Sequence, residues 1–115
     1  MLPAEYRLKG QKNFSRVFRG GKMFSNEVLL MKISAGDRDK PSQFGFGAGV
    51  KFSKRAAERN KIKRWIREAA RGYIKRVGPG HRAIFFINPK ASKDKVDLEL
   101  IQEKMGDLLN KAELL

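Results

Sequence analysis

The segment from Lys51 to Arg76, KFSKRAAERNKIKRWIREAARGYIKR, constrains this chain more than any other. It holds eleven Lys or Arg residues against two acids, Glu58 and Glu68. At about 3.6 residues per turn, Ile62, Trp65, Ile66, Ala69 and Tyr73 fall on one stripe. Asn60, Arg64, Arg67 and Arg71 fall opposite, with Arg59 and Lys63 at one border and Lys61 at the other. The pattern predicts a long helix with one side for a core and one strongly cationic side. Ser53 is a candidate N-cap, a start nearer Ala56 is equally compatible, and the helix should run to about Val77 before Gly78-Pro79-Gly80. Charge at this density repels itself, and an external polyanion is the simplest means of neutralising it.

The rest of the composition narrows the choice of polyanion. The chain has 115 residues, a net charge of +14 and an isoelectric point near 10.5. That length suits a single domain over 1–115 with one core. Nucleic acid and an anionic membrane both fit the charge. A helix lying on a membrane needs a broad apolar face bare to lipid, whereas here the apolar residues are spread over several core-forming segments. No apolar run approaches the ~18 residues of a spanning helix, and the N-terminal stretch has no signal-peptide core. Cysteine is absent, which removes thiolate metal sites and disulfides. The expectation is a soluble, cytoplasmic protein that binds phosphates, with no membrane and no small-molecule substrate.

Taken in order, residues 1–12 are basic and broken by Pro3 and Gly10, and read as a flexible arm with little fixed structure. Asn13 is a candidate N-cap for a short helix with Phe14, Val17 and Phe18 at i, i+3, i+4, ended by Gly20 and Gly21. Lys22–Phe24 suits a short extended piece. Val28–Ser34 alternates as a strand, with Leu29, Met31 and Ile33 toward the core and Val28, Leu30 and Lys32 away from it. Ala35–Ser42 has turn chemistry and reads as a hairpin loop. Phe44–Val50 is a second strand, in which Gly45, Gly47 and Gly49 leave one face bare. Ala83–Ile87 is a buried strand, and Asp97–Leu114 carries apolar residues at helical spacing. The succession gives an α+β fold, a two-layer α/β sandwich in the order α-β-β-β-α-β-α.

Two features admit two readings each. The bare glycine face is either a bulge or close-packing surface, or a floor on which a ligand backbone settles. Phe14 and Phe18, flanked by Arg16, Arg19 and Lys22, read as core residues or as a stacking platform for unpaired bases, and both hold if the rings line a groove between this helix and the sheet. Catalytic side chains are not expected: the one histidine, His81, is set in a turn, where a lone surface histidine is seldom catalytic, and without cysteine no Cys-His pair exists. Asp94, Asp97 and Glu99 read as a solvated helix start rather than a metal site. The alternating glycines do not match a nucleotide-binding loop.

The segment AERNKIKRWIREAAR, Ala57–Arg71, resembles the signature of the protein subunit of bacterial ribonuclease P, in which an Arg-Asn-Arg run opens a long basic helix. Here the run is Arg59-Asn60-Lys61. NFSRVFRGGK, FGFGAGVKFSKRA and GPGHRAIFFINPKAS resemble the family's first helix, its Gly-containing strand and its Pro-Gly turn with apolar strand. The departures are Lys61 for the second Arg, Gly49-Val50-Lys51 where relatives often carry Ser-Lys-Lys, and small residues at Gly47 and Ala48. Lys61 keeps the charge but gives up the bidentate fork.

The resemblance implies a ribosomal protein S5 domain 2-like fold with a left-handed crossover. It also implies an accessory subunit of an endoribonuclease whose active site is in an RNA. The partners would be ribonuclease P RNA and precursor tRNA, from which the 5′ leader is removed with Mg2+ held mainly by RNA and substrate. Carried over residue by residue, the RNA subunit would be bound by Lys54, Arg55, Arg59, Asn60, Lys61, Lys63, Arg64 and Arg67. The leader would lie in a cleft lined by Phe14, Phe18, Lys32 and Lys51, with no catalytic residue and no metal ligand in the protein. A ribosomal protein or RNA chaperone of similar shape is the alternative reading. A DNA-binding regulator and a self-sufficient protein nuclease follow, the latter weakened by the lack of a carboxylate cluster.

Overall fold

A computed structural model describes residues 2–115. Its organising element is a four-stranded sheet in the order β1-β2-β4-β3, formed by Lys22–Ser25, Leu29–Ala35, His81–Ile87 and Gln43–Gly47 respectively. β4 is apolar on both sides: Ala83, Phe85 and Ile87 are buried on one face and Ile84 on the other. A strand that is apolar on both faces belongs in the interior of a sheet. β1 pairs with β2 and β2 with β4 antiparallel, while β3 pairs with β4 in parallel.

This arrangement corrects the hairpin expected at Ala35–Ser42. The loop does not fold β3 back onto β2. It passes the start of β4 and delivers β3 to the far side. It is stitched there by Gly36 N–H to Gly80 O (2.9 Å), Gly80 N–H to Lys40 O (3.1 Å) and the Ser42 hydroxyl to Gly78 O (2.6 Å). Buried Ser42 also accepts the backbone N–H of His81 at 3.0 Å, so His81 opens β4 rather than sitting in a turn. Gly78 and Gly80 have φ of 78° and 92°, left-handed values that only glycine adopts freely.

The helices are α1 (Gln11–Gly20), α2 (Ala56–Arg71), the short α3 (Ile74–Val77) and α4 (Leu98–Lys111). α2 and α4 pack together against one face of the sheet. Ile62, Ile66 and Ala69 from α2 meet Ile101, Met105, Leu108 and Leu109 from α4 in a core with Leu29, Met31 and Phe85. The Asp97 side chain accepts the Leu100 N–H (2.8 Å) and caps α4. The basic helix starts at Ala56 with Arg55 in the cap position, so Ser53 is not its N-cap. Buried Ser53 instead accepts the Arg55 N–H at 3.1 Å. The helix also stops earlier than expected: Gly72 breaks it, and Tyr73 turns away to donate its hydroxyl to Gln102 O (2.8 Å).

α1 lies on the other face of the sheet, against β2 and β4. Its cap position is Gly10, φ 86°, and Asn13 sits inside the helix donating to Lys9 O (2.8 Å). The segment expected as a loose arm holds a 3-10 turn at Ala4–Tyr6, buried Leu2 and Leu8, and a parallel bridge from Arg7 to Phe44. Leu8 N–H donates to Phe44 O (3.0 Å), so this segment covers part of the β3 edge. Residue 1 of that expected arm lies outside the described residues.

β3 ends at Gly47 rather than Val50, and its glycines have different neighbours. A Cβ on Gly45 would come within 2.6 Å of Phe14 Cζ, whereas a Cβ on Gly49 would meet only Lys51 N, at 4.0 Å. Gly45→Ala should therefore cost about 1–3 kcal/mol through forced displacement of the Phe14 ring, and Gly49→Ala should be near neutral. Urea denaturation of the two variants against the parent checks this; equal midpoints for both variants would contradict the packing account.

Candidate nucleic-acid interface

Two separate surfaces come out of this architecture. The first is the outward side of α2. Burying Ile62, Ile66, Ala69 and Ala70 fixes the helix rotation, which leaves Asn60, Lys61, Arg64 and Arg71 exposed and Arg59, Lys63 and Arg67 half-exposed. Arg59 donates to Ser53 O (3.0 Å), tying the helix start to the preceding loop, which carries exposed Lys54 and Arg55. Lys61 lies over the half-buried Trp65 ring at 4.9 Å, and the Arg67 guanidinium over Phe46 at 5.8 Å. Arg64, Arg67, Glu68 and Arg71 surround a 210 Å³ depression closed at one side by Leu2. All eight residues expected to meet the RNA subunit thus lie on α2 or in the loop leading into it.

Acids do little to compensate this face. Glu68 pairs with Arg71 (2.8 Å), and Glu58 lies 3.5 Å from Lys93 on the loop after β4. The Ser53 hydroxyl, then the Lys93 and Lys61 charges, hold the Glu58 carboxyl below its usual range, while desolvation opposes them. A depressed carboxylate contributes stability that is present above its unfolded pKa and is lost as pH falls through the folded value. Glu58→Gln should therefore flatten the acid limb of a stability–pH curve below about pH 4.3. Urea midpoints from neutral to acid pH test it, and an unchanged limb would show that this pair does not matter.

The second surface is the outer sheet face, beside α1. Strand pairing sets Met23, Lys32, Ile84 and Gly45 in one row and Ser25, Leu30, Phe86 and Gly47 in the next. Phe14 and Val17 seat α1 over the Ile84–Gly45 side, with Leu8 beside them. The remainder of the face is left open. Phe18 is 43% exposed and Met23 50%, and the Phe18 ring tilts against Phe86 at 5.2 Å. Lys32 donates from Nζ to Phe18 O (2.8 Å), and its ammonium lies 5.2 Å from the Phe18 ring centre. One lysine thus satisfies a carbonyl at the α1 C-terminus and steadies the exposed ring.

Of the four residues expected in the cleft, the fold brings together Phe14, Phe18 and Lys32. Phe14 is half-buried over Gly45 and closes the cleft rather than lining its open part, so the glycine floor is occupied there by a protein ring. Lys51 is exposed in the turn after β3. The sequence reading missed Phe86 and Met23. Phe86 sits within the apolar run AIFFI, and only the pairing of Phe86 with Leu30 reveals that it faces outward. Among the described residues, no three of His, Asp and Glu come together in a way that could hold a metal ion. Among the described residues, no helix is long and apolar enough to cross a membrane.

The sequence profile of the Ribonuclease P family matches residues 2–113. The chain belongs to the ribonuclease P protein family. It is 34% identical over 118 residues to the ribonuclease P protein component of a Synechococcus species, covering 100% of this chain and 87% of that relative. The ribonuclease P protein component of Microcystis aeruginosa is 32% identical, with 99% and 96% covered. Among solved structures, the ribonuclease P protein from Thermotoga maritima superposes with a TM-score of 0.78 at 29% identity, over 91% of this chain and 96% of that one. The Staphylococcus aureus ribonuclease P protein has the same fold, with a TM-score of 0.79 at 24% identity over 95% and 96%.

Lys32→Met keeps the aliphatic stem but removes the cap and the charge on the ring. It should lower stability by about 1 kcal/mol and loosen the Phe18 ring. A urea midpoint and NMR line shapes of the Phe18 ring are the readouts; unchanged ring signals would deny Lys32 this positioning role.

Proposed function

We propose that this chain is the protein subunit of a ribonuclease P, binding the catalytic RNA through α2 and the 5′ leader of precursor tRNA in the cleft beside α1. The observation that carries this reading is the separation of two unlike surfaces in a member of this family. One is a cationic helix face with few acids. The other is the exposed Phe18 ring against half-buried Phe86, with a lysine beside it. A helix rich in Arg and Lys tracks phosphates without reading bases. Exposed rings beside a cation suit an unpaired strand, whose bases stack and whose backbone is neutralised nearby.

In this reading the protein contributes binding and charge, and the RNA contributes the reaction centre. Mg2+, held by the RNA subunit and the substrate, supplies the chemistry of phosphodiester hydrolysis. The chain's own residues reduce repulsion between leader and catalytic RNA. Phe18 and Phe86 hold leader bases, Lys32 fixes Phe18, and Lys51 meets the phosphate backbone at the α2 end. Processing of precursor tRNA places the protein in the cytoplasm.

The test is cleavage of a precursor tRNA by a bacterial ribonuclease P RNA at low magnesium, with and without the protein. The protein should restore leader removal and be inert alone, and Arg59→Ala/Asn60→Ala/Arg64→Ala should lose the effect. RNA binding without any stimulation would leave only a general RNA-binding module, and cleavage by the protein alone would overturn the reading. In the same system Phe18→Ala should weaken precursor binding by about 1–3 kcal/mol and leave mature tRNA unaffected, because only the precursor carries a leader to stack. Equal losses for both RNAs would remove Phe18 from leader recognition.

A further inference from the structure

The leader cleft uses one side of α1, and the other side is a cation stripe with no assigned role. Lys12, Arg16 and Arg19 are all exposed and recur at i, i+4, i+7. At about 100° per residue they centre ~170° from the Phe14, Val17 and Phe18 stripe, hence directly away from the sheet. No acid occurs anywhere from Tyr6 to Asn26, a stretch that also holds Arg7, Lys9 and Lys22. Among the described residues, none of the ion pairs or side-chain hydrogen bonds engages Lys12, Arg16 or Arg19. With Gln11 and Ser15 they line a shallow depression of about 400 Å³.

The helix cannot roll to bring these side chains into the cleft. Val17 is fully buried and Phe14 lies on Gly45. At the other end, Gly21 N–H donates to Val17 O (2.9 Å), and a Cβ there would stand 2.5 Å from that same oxygen. Nor does the stripe continue the α2 surface, because α1 and α2 pack on opposite faces of the sheet. A strand held on α2 or in the cleft would leave it unneutralised.

We infer that the outward face of α1 binds a further stretch of RNA backbone through Lys12, Arg16 and Arg19, so that this helix stands between two phosphate chains. The occupant is fixed by charge complementarity: three unpaired cations with no apolar surface among them suit a phosphate backbone rather than bases. This inference rests on the subunit reading above. The phosphates are those of the RNA subunit, folding round the protein, because the leader is held on the opposite, inward side of α1 beside Phe18 and Lys32.

The experiment compares the parent protein with Lys12→Gln/Arg16→Gln/Arg19→Gln and with Arg16→Lys/Arg19→Lys. One arm measures affinity for the ribonuclease P RNA across a salt series. The other measures affinity of the assembled holoenzyme for precursor tRNAs with short and long leaders. Three lost contacts should lower the slope of log affinity against log salt by about 2 to 3, and weaken binding roughly tenfold or more near 0.1 M salt. The charge-conserving variant should bind like the parent, because a backbone phosphate needs only a point charge. A loss in the first arm supports the RNA subunit as the occupant, and a loss only with long leaders overturns that assignment in favour of the substrate. If the triple variant matches the parent in both arms, the second contact does not exist and the subunit reading stands. Failure of the parent protein to bind either RNA would sink both.

Discussion

Because β4 is apolar on both sides, the sheet must be covered on both faces, and chain length limits how completely. α2 and α4 take one face and build the main core around Phe85. One ten-residue helix, with Leu8 beside it, covers the other, reaching Ile84 and Gly45 but leaving Phe86 half-buried. The opening beside α1 is therefore the uncovered remainder of a two-faced strand. Its apolar floor would be a liability if unoccupied, and the nearby Lys32 turns it into a surface suited to bases. Burial on one side of β4 and an open apolar floor on the other follow from alternate residues of one strand.

Electrostatics works against this fold more than for it. With 26 basic and 12 acidic residues, self-repulsion favours expansion, and only three ion pairs offset it among the described residues. The fold spreads the excess charge over separate surfaces: α2 on one side of the sheet, α1 on the other. Acids collect on α4, where Glu99, Glu103 and Asp107 are exposed. Exposed pairs of this kind contribute little each, so stability rests on the core, and neutralisation is left to a bound polyanion.

The local patterns were legible in the sequence. The burial of Ile62, Ile66 and Ala69, the inward side of β2 and the apolar stripe of α4 depend on helix and strand periods alone. What stayed hidden depends on partners distant in sequence. The turn chemistry at Ala35–Ser42 is the same whether the loop makes a hairpin or passes the start of β4, and only the pairing of Phe44 with Ala83 decides. The order of Phe85 and Phe86 does not say which ring faces out. The N-terminal segment looked unstructured because its anchors, Leu2 and Leu8, are isolated apolar residues whose pockets other elements provide. For the interface, the α2 residues follow from charge and phase, whereas Lys32 as a cap of α1 requires a contact fourteen residues away.

The cations of this protein are steadied by rings more often than by carboxylates. Lys32 lies over Phe18, Lys61 over Trp65, Arg67 over Phe46, Arg76 over Tyr73 and Lys93 over Phe52. A carboxylate would hold a cation by cancelling its charge, and a phosphate would then have to displace it. A ring face holds the cation through its quadrupole, at about 0.5–1 kcal/mol on an exposed site, and leaves the full positive charge outward. Ordering the long side chain beforehand lowers the entropy lost when a phosphate arrives. This bears on the departure at Lys61. A lysine there cannot grip a phosphate with a bidentate fork, but its ammonium is placed by Trp65 rather than left to swing. The α2 face thereby trades hydrogen-bond geometry at that position for a fixed point charge, which suits a contact to RNA backbone in which position matters more than the orientation of the donor.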